Sequence, residues 1–193
     1  MTKPIIGAIV LAAGFSSRFG SSKLLARLSS GESIFQQTVQ RIAEVFPERL
    51  VVTRPEMAAA LQELAPETSI LSFERAEQGM GATLAFAAQN IGDWDGCVVC
   101  LGDMPFIETS TYSLIAEHVT RNSIVTPTFD FRAGNPVAFG KNFFTDLKAL
   151  TGDKGGKRLT GMYPQAVQCL QVSDPGILLD IDTHEELALY QHL

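Results

Sequence analysis

The sequence predicts an α/β fold: a mostly parallel sheet with helices on both faces. Three observations predict it. Apolar runs of strand length alternate with amphipathic stretches of helix length along most of the chain. That alternation is the βαβ order of parallel sheets, whose strands need crossover connections. The first apolar run, residues 5–11, is nearly continuous, as expected of a strand covered on both faces. After Phe129 the elements shorten and Pro136 opens an apolar run, which points to an antiparallel insertion or edge hairpin.

The elements follow in order. Residues 32–46 place Ile34, Phe35, Val39, Ile42, Val45 and Phe46 close to 3.6-residue spacing, so they form a helix that Pro47 ends. Residues 50–53 are a short strand. Pro55–Leu64 opens with Pro in a first turn and is rich in Ala, Leu and Glu, so it is a helix. Residues 69–73 are a third strand, residues 83–91 an Ala-rich helix stopped by Gly92, and Gly96–Leu101 a fourth strand. Residues 109–119 read as a helix with Thr and Ser caps, and 123–126 and 136–139 as strands. Helices follow around 142–150 and 156–162. Residues 166–172 and 177–180 read as late strands and 183–191 as a closing helix.

The chain has 193 residues, 46% hydrophobic and 19% charged. That is ordinary for one soluble globular domain, here expected over 1–193, and too apolar for a disordered chain. Fifteen basic against 21 acidic residues give a net charge of −6. This argues against a broad basic face for nucleic acid or an anionic membrane, which both need clustered Lys and Arg. It leaves room for a local anion site. The run 5–13 is far short of the roughly 20 residues that span a bilayer. It also leads straight into the most informative motif of the chain, which signal cleavage would destroy. Three cysteines fit a reduced compartment better than a disulfide framework. A cytoplasmic protein is expected. Cys97 and Cys100 have redox spacing but fall inside a strand, where positions three apart face opposite sides, so they read as structural. Phe143 and Phe144 read as core or subunit contact, and His118 and His192 as surface.

The informative motif is Leu11-Ala12-Ala13-Gly14-Phe15-Ser16-Ser17-Arg18-Phe19-Gly20-Ser21-Ser22-Lys23. Small residues let backbone N–H groups approach a phosphate closely. Arg18 adds a planar multi-donor group and Lys23 a point charge. Together they fit a triphosphate. The run is not a Walker A loop, because Lys23 follows Gly20 by three, and it is not a G-x-G-x-x-G fingerprint. A second feature is acidic. Asp103, in Gly102-Asp103-Met104-Pro105, follows a buried strand, and Asp182 sits just before the last helix. Mg²⁺ takes one or two carboxylates plus substrate phosphates, which suits such a pair. Asp182 and Thr183 are equally open to a helix-capping role. Asp180 is expected to face away from Asp182. In open α/β sheets the ligand crevice lies at the carboxyl ends of the strands, where these residues fall.

The loop motif resembles the signature of the MobA-like nucleotidyltransferases, and the resemblance covers essentially the whole chain. Gly102-Asp103-Met104-Pro105 is similar to the family's metal-binding segment. Asp182-Thr183-His184-Glu185-Glu186 is similar to its C-terminal motif, with His184 in the usual place of Pro. The resemblance implies a three-layer α/β/α Rossmann-like nucleotidyltransferase fold, mostly parallel with an antiparallel element. It implies Arg18, Lys23 and Asp103 as catalytic, and Mg²⁺ on Asp103 and Asp182. Nucleotide binding would fall to Leu11, Ala12, Ala13, Gly14, Arg18, Lys23, Gly79, Met80, Gly81, Thr83 and Asp103. Gly79, Met80, Gly81 and Thr83 belong to a segment like the family's Gly-Met-x-x-Ser-Leu, at a helix start that suits an anion or a nucleotide edge.

Asn135 and Pro136, in a segment like the family's Gly-His-Pro-Val, and Lys157 and Arg158, in one like Gly-Asp-x-Gly-Ala-Arg, would bind the acceptor. The basic residues also suit a solvated turn. Among the family's branches the motifs most resemble molybdenum cofactor cytidylyltransferases. That implies CTP as donor, a phosphate-bearing acceptor such as molybdopterin, and a molybdoenzyme or cofactor-insertion protein as partner. Guanylyl transfer to the same cofactor stays open. So do a sugar- or polyol-phosphate nucleotidyltransferase and a non-catalytic nucleotide-binding protein.

Overall fold

The computed structural model describes residues 3–20 and 22–190. β1 (Ile6–Ala12) lies at the middle of the sheet, between β2 (Arg49–Thr53) and β4 (Gly96–Leu101), with β3 (Ser69–Ser72) outside β2. These four strands are parallel. Every residue of β1 after Ile6 is buried, which is why its sequence is apolar without alternation. β7 (Val137–Gly140) runs antiparallel to β4 and to β5 (Ile124–Phe129). The short β6 (Arg132–Ala133) also pairs antiparallel with β5, and β8 (Val167–Gln171) pairs with β5 in parallel. The expected antiparallel element is thus the return of the chain along β5 through β6 and β7, which reverses at Asp130 and Phe131.

Helices cover both faces. α1 (Ile34–Ala43), α2 (Pro55–Leu64) and α4 (Thr109–His118) pack on the face carrying Ala8, Val10, Val51, Val98 and Cys100. α3 (Met80–Gln89), α5 (Phe144–Lys148) and α6 (Lys157–Met162) pack on the face carrying Ile9, Leu11, Val52, Cys97 and Val99. The two-residue period of the strands sends Cys97 and Cys100 to opposite cores, as expected. Phe143 and Phe144 are core residues, and His118 is exposed at the end of α4. His192 and the last residue of the expected closing helix lie outside the described residues. No helix among the described residues is long and apolar enough to cross a membrane.

Two expectations are corrected. The Ala-rich helix starts at Met80, three residues before Thr83, because Gly79 (φ 102°) supplies the left-handed conformation that turns the chain into it. Residues 177–180 are not a strand. Asp174 accepts from the Gly176 N–H at 2.8 Å and Pro175 fixes the next φ, so the segment folds as a 3₁₀ turn, Pro175–Leu178. The closing helix α7 (His184–Tyr190) follows.

The strand order places the site. The chain steps outward from β1 to β2 and β3, then crosses back to add β4 on the other side of β1. The loops leaving β1 and β4 therefore diverge and open a crevice at their carboxyl ends.

Candidate active site

The crevice holds a charged cluster drawn from three distant segments. Lys23 lies in a 3₁₀ turn after the signature loop and is 8% exposed. Its Nζ sits 2.6 Å from Asp103 Oδ2 and donates to Asp182 Oδ1 at 2.6 Å. Arg18, largely exposed, reaches Asp182 Oδ2 at 2.8 Å. Asp103 is delivered by the end of β4. Asp182 is delivered by the segment before α7, whose Ile181 is buried and donates its N–H to the Asp103 carbonyl at 3.1 Å.

Electrostatics follow from the geometry. Burial pushes the Asp103 carboxyl up; Lys23 opposes it, Asp180 adds to it, and the net direction is upward. Burial alone would lower the Lys23 ammonium, but Asp103 and then Asp182 outweigh it and raise it. The hydrogen bond from Lys23 holds Asp182 below the ordinary carboxylate range.

The competing capping role at Asp182 falls to its neighbours. Glu186 accepts from the Asp182 and Thr183 N–H groups at 2.8 and 2.9 Å, and Thr183 Oγ1 accepts from the Glu186 N–H at 3.1 Å. This is a capping box, and it frees the Asp182 carboxylate for the crevice. Asp180 also faces the crevice, against expectation: residues two apart share a face of an extended chain, so Asp180 falls on the side of Asp182.

The donor set suits a hard cation. Asp103 Oδ1 is buried without a hydrogen-bond partner among the described residues, and the Asp182 carboxylate lies across Lys23 from it. No cluster of three or more acidic, His or Cys ligands forms among the described residues. A cation here would take two carboxylates and complete its shell with phosphate and water oxygens, as Mg²⁺ does.

The crevice has two compartments. The first, about 430 Å³, is lined by Leu11 through Arg18, and by Lys23, Gly79, Met80, Thr83, Asp103 and Asp182. The second, about 840 Å³, carries Asn135, Lys154, Lys157 and Arg158 on walls that include Val99, Met104, Val137 and Phe139. Leu11, Met80, Leu101, Asp153 and Asp180 border both, so the compartments are continuous.

Two expected site residues do not line them. Gly81 is drawn away, its N–H donating to the Gly152 carbonyl at 2.6 Å, in a contact a Cβ would block. Pro136, cis to Asn135, forms the turn into β7. The sequence reading did not single out Ala76, Glu77, Asp153 or Asp180 as site residues. Asp153 is brought there by packing: Gly79 and Gly152, both at positive φ, lie so close that a Cβ on Gly79 would strike the Asp153 carboxylate.

Comparison with known proteins agrees with this geometry. The chain is 30% identical over 200 residues to the purine catabolism protein PucB of Bacillus subtilis, with 96% of each covered. It is 28% identical over 137 residues to the bifunctional protein GlmU of Staphylococcus saprophyticus, and spans 30% of that protein's length. The crystal structure of Rv0371c from Mycobacterium tuberculosis superposes over 100% of both chains with a TM-score of 0.88 at 26% identity. The model of the MobA-like NTP transferase domain matches residues 8–167. The chain therefore belongs to the MobA-like NTP transferase family.

Proposed function

We propose that the protein is a Mg²⁺-dependent cytidylyltransferase that joins the CMP moiety of CTP to the phosphate of a pterin acceptor, molybdopterin, and releases pyrophosphate. The observation that carries this reading is the continuous two-compartment crevice. One compartment holds Arg18, Lys23, Asp103 and Asp182; the other holds Asn135, Lys154, Lys157 and Arg158 over apolar walls. A triphosphate matches the first. In the second, the apolar walls at Val99, Met104, Val137 and Phe139 suit a flat heteroaromatic body, and Lys154, Lys157 and Arg158 suit its anionic arm.

In the reaction an acceptor phosphate oxygen attacks the α-phosphorus. The bond from that phosphorus to the bridging oxygen breaks, and pyrophosphate leaves with the electron pair. A phosphate monoester is already largely ionised at neutral pH, with a second pKa of about 6, so the site needs no general base. The rate enhancement then comes from positioning and charge neutralisation. Arg18 and Lys23 exchange their carboxylate partners for phosphate oxygens, and the backbone N–H groups of the loop from Ala13 to Gly20 cradle the chain of phosphates. Lys154, Lys157 and Arg158 hold the acceptor's anionic arm. Asp103 and Asp182 would hold Mg²⁺, which neutralises charge on the triphosphate when bound. The manganese complex known for the Rv0371c relative agrees with a divalent cation in such a fold. Ala13 supports CTP over GTP: it is buried in the wall of the first compartment, and its Cβ narrows the space a purine would take.

The test is pyrophosphate release by the purified protein with Mg²⁺, each of the four nucleoside triphosphates, and either molybdopterin or a sugar phosphate. Release is expected with CTP and molybdopterin together. Release with GTP or a sugar phosphate would move the protein to another branch. Nucleotide binding without release under any pairing would make it a non-catalytic binder.

A further inference from the structure

We propose that Phe15 and Arg54 form the nucleobase subsite, with the base stacked on the open face of the Phe15 ring; this rests on the reading of the first compartment as a nucleotide site. The layout of the sheet leaves one place for a nucleoside. The second compartment is built on the β4–β7 side, from Val99, Asn135, Val137 and Phe139. The charged cluster lies at the ends of β1 and β4. With phosphates on that cluster and an acceptor arriving from the β7 side, the nucleoside is left with the side of β1 that faces β2.

Phe15 and Arg54 meet on that side. Phe15 lines the first compartment and is 54% exposed, although it is a large apolar residue. Arg54, the residue after β2, holds its guanidinium carbon 4.5 Å from the Phe15 ring centre. One face of the ring is therefore covered and the other is open to a planar group. Arg54 is itself fixed. Its Nη1 donates to Glu56 Oε1 at 2.7 Å, while its buried Nε finds no partner among the described residues. Arg54 does not itself line the compartment; it backs the Phe15 ring from behind. Phe131 is more exposed, at 96%, but does not line either compartment. Every base has a π-face, so stacking adds affinity without choosing among bases. Selection is left to the compartment wall at Ala13.

The experiment measures binding of the nucleoside triphosphate that the wild type holds most tightly, and of tripolyphosphate, each with Mg²⁺. It compares wild type with Phe15→Ala, Phe15→Leu, Phe15→Trp and Arg54→Met. Phe15→Ala is expected to weaken the nucleotide roughly tenfold and tripolyphosphate less than about twofold. Phe15→Trp restores nucleotide affinity and Phe15→Leu does not. Arg54→Met, which takes the cation from behind the ring, weakens the nucleotide about threefold. Equal loss of both ligands in Phe15→Ala would make Phe15 a loop-shaping residue and overturn the proposal; unchanged nucleotide binding would overturn it as well. In both cases the assignment of the first compartment to a nucleotide stands. A folded wild type that binds no nucleoside triphosphate would remove the nucleotide reading and this inference together.

Discussion

Lys23 sits at the centre of the crevice's charges, with an ammonium clamped at 2.6 Å by each of two carboxylates from distant segments of the chain. It was legible in the sequence as one of two cations, with Arg18, in a run of small residues that follows a buried strand. Asp103 was legible for the same reason, as an acid at the end of a buried strand. The cysteines show the converse. Cys97 and Cys100 carry redox spacing, yet burial pushes the Cys97 thiol up to about 12 and pushes Cys100 up further. Neither supplies thiolate at neutral pH, whereas Cys169 is exposed on β8. A thiol titration of the native protein at pH 8 should therefore count one reactive cysteine, with the other two appearing on unfolding. More than one fast thiol in the folded protein would contradict the packing described.

The signature loop is held from outside by the C-terminal segment. Phe19, 3% exposed, meets the His184 ring at 3.9 Å between centres, and Arg18 beside it pairs with Asp182. Leu28, Ile34 and Ile181 complete the cluster beneath. The His184 ring thus ties the C-terminal segment to the loop through Phe19. His184→Ala should cost about 1 kcal/mol of aromatic packing and lower Tm by roughly 2–4 °C. It should also raise KM for the nucleotide more than it lowers kcat. An unchanged Tm and KM would show that the ring contact holds nothing in place.

The element-level misreadings share one cause. The start of α3 at Met80 and the turn at 175–178 are both set by short-range backbone chemistry, a positive-φ glycine and an Asp-Pro-Gly turn. Apolar periodicity does not register either one. The misplacement of Asp180 has a different cause: residues two apart lie on the same face of an extended chain, so Asp180 belongs on the side of Asp182.

Across the whole molecule, the mostly parallel sheet was legible from the alternation of apolar runs and amphipathic stretches, whereas the strand order that opens the crevice depends on tertiary pairing the alternation does not encode. What pattern reading left out are the residues that the two compartments share. Asp153 and Asp180 reach the crevice from loops whose paths depend on tertiary contacts, Gly152 against Gly81 and Ile181 against Asp103. A chain with a net charge of −6 nonetheless gathers Arg18, Lys23, Lys154, Lys157 and Arg158 around one cleft. Glu77, Asp103, Asp153, Asp180 and Asp182 line the same cleft, so the basic side chains sit among carboxylates, an arrangement that suits phosphates bound together with a hard cation.

The claim that this cleft binds a nucleoside triphosphate through Lys23 and the Asp103–Asp182 pair is tested most directly by calorimetric titration. CTP, GTP, ATP and UTP, each with Mg²⁺, are titrated into the wild type and into Asp103→Asn. Selective binding of CTP, weakened by at least about tenfold in the folded variant, is the predicted result. Equal CTP affinity in the two proteins, or a folded wild type that binds none of the four, would contradict it.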